Sequence, residues 1–320
     1  MKIQITLMLL AALVAAQAVA QDNERPRNRF DHDILVETFG YGPDTPASVE
    51  FEKLYQGCPA RDCIPAIDSP KYVTADAASE FLVDRELIIA IDHNGDKRAW
   101  PIRVLDFHEI VNDTIGGDPI AVTWCPLCGS GLAFHRVLNG EPVEFGVSGV
   151  LHDSDLVMYD RATDTLWQQI TGEAIMGPLL GQQLTEVPLT ITEWATWRDA
   201  HPDTRVLSLD TGYDMEYAVD RRYAAYEESD RLPFPPSRRD LSVHPKAVVH
   251  GFTIDGQHLA VMDENLGDEP LQAKLADKTL KIARGGDGSV TAVDSDGNEY
   301  ASTRLFWFAW FNFHPNTERI

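Results

Sequence analysis

The sequence predicts an α+β fold, mainly antiparallel β with a few short helices, built as two pseudo-repeated halves. Two observations predict the class: many short β-branched and aromatic runs end at Gly, Asn or Asp turns, and few stretches carry helical spacing. A third predicts the halves. Trp194, Trp197, His201, Pro202, Asp203 and Thr204 are matched at identical spacing by Trp307, Trp310, His314, Pro315, Asn316 and Thr317.

In chain order, Lys2 precedes an apolar run from Ile3 to Val19 that closes on Ala18-Val19-Ala20 before polar Gln21-Asp22-Asn23-Glu24. That is the layout of a secretory signal peptide over residues 1–20, so a periplasmic or secreted protein is expected. A retained anchor is the alternative, but the run is short for a span, and no later stretch is apolar enough to cross a bilayer. No stable membrane span is therefore expected after cleavage. Residues 21–75 read as an extended Pro-rich arm, because Pro26, Pro43, Pro46, Pro59, Pro65 and Pro70 exclude long helices.

With 50 acidic against 27 basic residues and a net charge of -23, the surface repels phosphate backbones and anionic headgroups, which excludes nucleic acid as a partner. The remaining length, with 44% hydrophobic content, suffices for roughly two domains.

The first repeat spans 76–210. Leu87 to Ile91 and Lys97 to Trp100 read as two strands around an Asn-Gly turn. After Pro101, the apolar positions Ile102, Leu105, Ile110 and Val111 predict a helix that stops before Gly116-Gly117 and carries His108 and Asn112 on one face. A strand from Pro119 to Trp124 then runs into Cys125-Pro126-Leu127-Cys128-Gly129, a tight turn that holds two sulfurs close enough to share a metal ion or a disulfide. Leu132 to Val137 and Val143 to Val147 read as a hairpin around Asn139-Gly140; Asp155 to Arg161 and Thr165 to Gln169 read as another. A helix over Thr192 to Ala200 and a strand over Arg205 to Leu209 complete the repeat. Residues 211–244 form a linker, and 245–320 a second, shortened repeat without cysteines. Its aromatic run from Leu305 to Phe313 is too apolar to stay exposed and is expected to bury against the first half.

Four cysteines fall into two local pairs. Cys58 and Cys63, in a loop, read as a structural disulfide in an oxidising compartment; a four-cysteine zinc site is the competing reading. Cys125 and Cys128 with His108 make a soft site suited to copper or zinc, and His135, His152 and Met158 are weaker candidate ligands. Glu109 and Asp155 are candidate catalytic acids or bases, and Ser148, Ser154 and Arg161 candidate contacts to a polar ligand. The partner is then a metal ion.

A second reading is a thiol–disulfide oxidoreductase acting on a thiol partner protein. A thioredoxin fold is disfavoured, because Gly129-Ser130-Gly131 and strand-like residues follow where a helix would continue. A third is a ligand-binding or scaffold protein with a structural disulfide. The chain lacks G-x-S-x-G, a phosphate-binding glycine loop, H-E-x-x-H and C-x-x-C-H, so there is no nucleotide or haem signal. Nothing in it reports the oligomeric state.

The runs Asp106 to Asp113, Thr123 to Ser130, Phe145 to Gly149, Asp155 to Arg161, Leu166-Trp167 and His201 to Thr204 together resemble the bacterial and archaeal domain of unknown function 3179 family. The resemblance extends from about Ile64 to Asn316. It implies an exported protein of unestablished activity, and no substrate. Cys58 and Cys63 lie outside the family pattern, and the second half looks shortened against it.

Overall fold

A computed structural model describes residues 31–219 and 222–320. The signal peptide expected over residues 1–20 and the start of the arm lie outside the described residues. The regular structure of the described chain is mostly antiparallel sheet, with a few short helices. Among the described residues, no helix is long and apolar enough to cross a membrane.

A hairpin opens each half. Leu87–His93 pairs with Asp96–Pro101 across Asn94-Gly95, both at positive φ (53° and 79°), the backbone that two-residue hairpin turns require. Val248–Ile254 pairs with Gln257–Met262 across Asp255-Gly256 in the same way. In the first half Thr190–Glu193 adds antiparallel to the outer hairpin strand, the helix Trp194–Ala200 follows, and Arg205–Leu207 returns parallel to the inner strand. In the second, Thr303–Phe306, Trp307–Phe313 and Glu318–Arg319 follow the same order and directions.

Both helices also end alike. The Trp197 indole N–H donates to Thr204 Oγ1 at 3.0 Å and that of Trp310 to Thr317 Oγ1 at 2.9 Å. His201 and His314 leave their helices at nearly equal angles (φ -132°, ψ 69° and φ -129°, ψ 64°).

The two stretches differ in what lies between hairpin and returning strand; the likeness is one of strand order and helix ends, and does not establish a repeat. The second carries a four-stranded meander from Leu271 to Ala301. The first carries nearly all the strands of two sheets that together build the site, and one of these sheets also takes in Leu54–Gln56 from ahead of the hairpin. One, the cysteine sheet, orders Glu186–Val187, Ser130–His135, Asp118–Cys125 and Ile110–Ile115. The other orders Leu54–Gln56, Phe145–His152, Asp155–Asp160, Leu166–Gln168 and Ala174–Met176. Asn112 ties the two together: its Nδ2 donates to the Phe145 carbonyl at 2.8 Å, and its Oδ1 accepts from the Phe145 amide at 2.9 Å.

Two expectations are corrected here. The helix after Pro101 is only Ile102–Leu105; Ile110–Ile115 is a strand, so His108 and Asn112 share no helical face. Glu109 ends the turn in the left-handed region (φ 58°), and the β-branched Ile110, Val111, Thr114 and Ile115 suit a pleated surface better than a helix. The hairpin expected around Asn139-Gly140 is a short ribbon of Val137–Leu138 and Glu141–Pro142. The long strands on either side of it join different sheets, Ser130–His135 beside Asp118–Cys125 and Phe145–His152 beside Asp155–Asp160.

Candidate metal centre

Cys125 closes the strand Asp118–Cys125, and Cys128 precedes the strand Ser130–His135, with Gly129 between them at φ 59°. The Cys128 amide donates to the Cys125 carbonyl at 3.2 Å, which sets the tight turn. A Cβ on Gly129 would lie 2.7 Å from the Phe306 ring, so glycine serves both the backbone angle and the close approach. The Phe306 amide in turn donates to the Cys128 carbonyl at 2.8 Å. Phe306, Trp307, Phe308 and Trp310 share one apolar cluster with both cysteines. The aromatic run of the second half thus seals the cysteine turn.

Both sulfurs are free and buried. Asp155, fully buried at the start of its strand, completes a group in which one ligand atom from each of Cys125, Cys128 and Asp155 lies within 4.8 Å of the others. The turn before Asp155 holds Asp153 and Ser154 at positive φ (54° and 69°) and points the Ser154 carbonyl at the thiols, 3.5 Å from Cys128 Sγ and 3.9 Å from Cys125 Sγ. Asp155 Oδ2 accepts from Gln168 Nε2 at 2.5 Å and from the Ile170 amide at 3.0 Å, whereas its buried Oδ1 has no hydrogen-bond partner.

Burial pushes both thiols above their ordinary value, and negative charge on Asp155 adds to the shift. Burial also lifts Asp155 to about 7, against the hydrogen bonds of Gln168 and Ile170 that hold it down. A cation held by these three groups would have to displace their protons.

Residues 61–296 match the family described as a protein of unknown function, DUF3179. The chain belongs to this family. No curated protein and no solved structure matches it. The DUF3179 match takes in the whole cysteine turn, Glu109 and Asp155, and stops short of Phe306 and the helix that seals them.

Other candidate ligands of this DUF3179 protein are held elsewhere. His108 is fully buried, but its ring nitrogens are engaged by the Pro65 carbonyl at 2.7 Å and the Tyr217 hydroxyl at 2.6 Å. His135 sits at the far end of its strand, opposite Ile120, with its ring 5.6 Å from that of His93. His152 stands opposite Asp155 in the strand register, and its ring is linked to the Asp155 carboxyl through Gln168, whose Oε1 lies 2.7 Å from His152 Nδ1. Met158 is buried in the same apolar cluster as the cysteines. Cys58 and Cys63 are joined in a disulfide, with Cα atoms 6.3 Å apart, so the four cysteines do not form one zinc set.

The polar candidates serve the framework. Ser148 Oγ donates to the Val157 carbonyl at 2.5 Å, Ser154 Oγ to the Phe234 carbonyl at 2.7 Å, and Arg161 pairs with Asp68 and Glu144.

Three features of the site escaped sequence reasoning. Gln168 and Gln169 brace it, Gln169 through Ser130 Oγ, Thr123 Oγ1 and the Ser130 carbonyl. Two adjacent glutamines ending an apolar strand were the available signal, since buried amides need partners. Tyr226, whose hydroxyl donates to the Leu127 carbonyl at 2.9 Å, and Tyr223 come from the segment read as a linker, and no local pattern marks them.

Proposed function

We propose that Cys125, Cys128 and Asp155 hold one metal ion, zinc or copper, in an exported protein that traffics the metal or uses it in redox chemistry. One observation carries the reading: two free, buried thiols and a carboxylate oxygen of buried Asp155 lie within 4.8 Å of one another in the core. A buried, unpartnered carboxyl oxygen is costly unless a proton or a cation meets it. Two sulfurs and one oxygen suit zinc with a fourth position left to another ligand; copper(I) would draw chiefly on the sulfurs. Export rests on the leader pattern of residues 1–20 and agrees with the Cys58–Cys63 disulfide, since such bonds persist in oxidising compartments.

Thiol–disulfide exchange is less well supported. Exchange needs an accessible thiolate, whereas both thiols are buried and raised in pKa.

The test is metal analysis of the purified protein beside a Cys125→Ser/Cys128→Ser variant. About one zinc or copper per chain in the native protein, lost in the variant, is the expected result. A metal-free native protein that takes up neither ion on titration sinks the proposal.

A further inference from the structure

Beside the cysteine turn lies a cavity of about 180 Å³ that the metal reading does not use. Its mouth is at exposed Gly57 and half-buried Cys58; its walls include Leu127, Leu156, Tyr223 and Phe234. The one carboxyl in the wall is Glu109, only 8% exposed and with no side-chain hydrogen bond to any described residue. Its backbone is pinned by three hydrogen bonds in this turn: its amide donates to the Leu105 carbonyl at 2.8 Å, the Ile110 amide to the His108 carbonyl at 2.6 Å, and the Trp124 amide to the Glu109 carbonyl at 2.7 Å. The carboxyl is thus held at the cavity wall by the fold, with no hydrogen-bond partner among the described residues.

Charge selects what would satisfy it. Burial above all, and then the like charges of Asp106 and Asp155, lift Glu109 to about 8, while one opposing cation, Arg222, is exposed and stacked over the Phe107 ring at 4.7 Å. An anionic ligand would meet the Glu109 carboxyl with like charge, whereas a cation would draw that carboxyl into its charged form. The aromatic faces of Tyr223 and Phe234 favour the same sign. In size, the cavity exceeds the ~150 Å³ that is enough to admit benzene.

We propose that this cavity binds a small organic cation, an amine with a compact apolar body, whose ammonium meets the Glu109 carboxylate while its body lies against Leu127, Leu156 and Phe234. The proposal does not rest on the metal reading, and the experiment keeps the two apart by using chelator-treated, full-length protein.

Calorimetric titration with benzylamine, and with benzoate as the anionic control of similar shape, tests it. Benzylamine binds and benzoate does not. Glu109→Gln weakens benzylamine at least tenfold, and Leu127→Trp, which fills the cavity and keeps the acid, does the same; thermal melts establish that each variant is folded. Should Glu109→Gln fail to fold, Leu127→Trp decides alone. No heat from benzylamine, equal binding of benzoate, or unchanged affinity in the folded variants overturns the proposal.

Discussion

Gly129 shows how much of the site one residue fixes. Any side chain there meets both a left-handed backbone and the Phe306 ring. Gly129→Ala is expected to cost about 3 kcal/mol, strain and overpacking together, read as a lower urea midpoint at unchanged slope. A midpoint within error of the native one would show that the turn and Phe306 yield freely. The two cysteines were legible at this scale because their chemistry and their spacing lie within one short stretch. Asp155 was legible only as an acid, since what brings it to the sulfurs is a strand from another sheet. His108 was misleading for the same reason: its partners, Pro65 and Tyr217, are distant in the chain, and they occupy both ring nitrogens.

Among the elements, the hairpin Leu87–His93/Asp96–Pro101 carries a partly buried charge network. Arg98 reaches Asp96 at 2.8 Å and Asp113 at 2.6 Å, and Arg205 reaches Asp96 at 3.3 Å. Burial alone would raise the Asp96 carboxyl, but hydrogen bonds from Arg98 and the Gly116 amide, with help from Arg205, outweigh it and hold the group at about 2. A carboxyl lowered on folding stabilises the protein above its unfolded value near 4, and that contribution is lost as pH falls toward 2. Asp96→Asn should therefore lower stability by ~1–2 kcal/mol at neutral pH and flatten the loss between about pH 4 and 2. Parallel acid-unfolding curves for the two proteins would remove Asp96 from the account.

The hairpins were readable from the sequence, because an Asn-Gly or Asp-Gly pair between apolar runs is a local signal. The strand Ile110–Ile115 was not: its apolar residues also fit helical spacing, and only pairing with Asp118–Cys125 decides between the two.

At the scale of the molecule, the mainly β class was legible from composition and turn spacing, and so was burial of the aromatic run against the first half, whereas the approach of Tyr223 and Tyr226 to the cysteine turn was not. The aromatic run was expected to bury because it is apolar; that it buries on the cysteine turn follows from tertiary contacts no local pattern encodes. The segment read as a linker lays Tyr217 on His108 and Tyr226 on Leu127, and it supplies Tyr223 and Phe234 to the cavity. This burial predicts thiol behaviour. In the native, metal-free protein neither free thiol should react with an aromatic disulfide reagent within minutes; in guanidinium, without reductant, two should titrate. Rapid reaction of both in the native state would mean that the cover opens readily.

The hydrogen bond from the Phe306 amide to the Cys128 carbonyl also sets an order in time. During synthesis the cysteines leave the ribosome long before Phe306 does, by on the order of ten seconds or more at ordinary elongation rates. Throughout that interval the thiols lack their lid, open to oxidation, to mispairing with Cys58 or Cys63, or to capture by a chaperone. The centre can close only once the chain has been made as far as Phe306, so its closure follows synthesis of nearly the whole polypeptide.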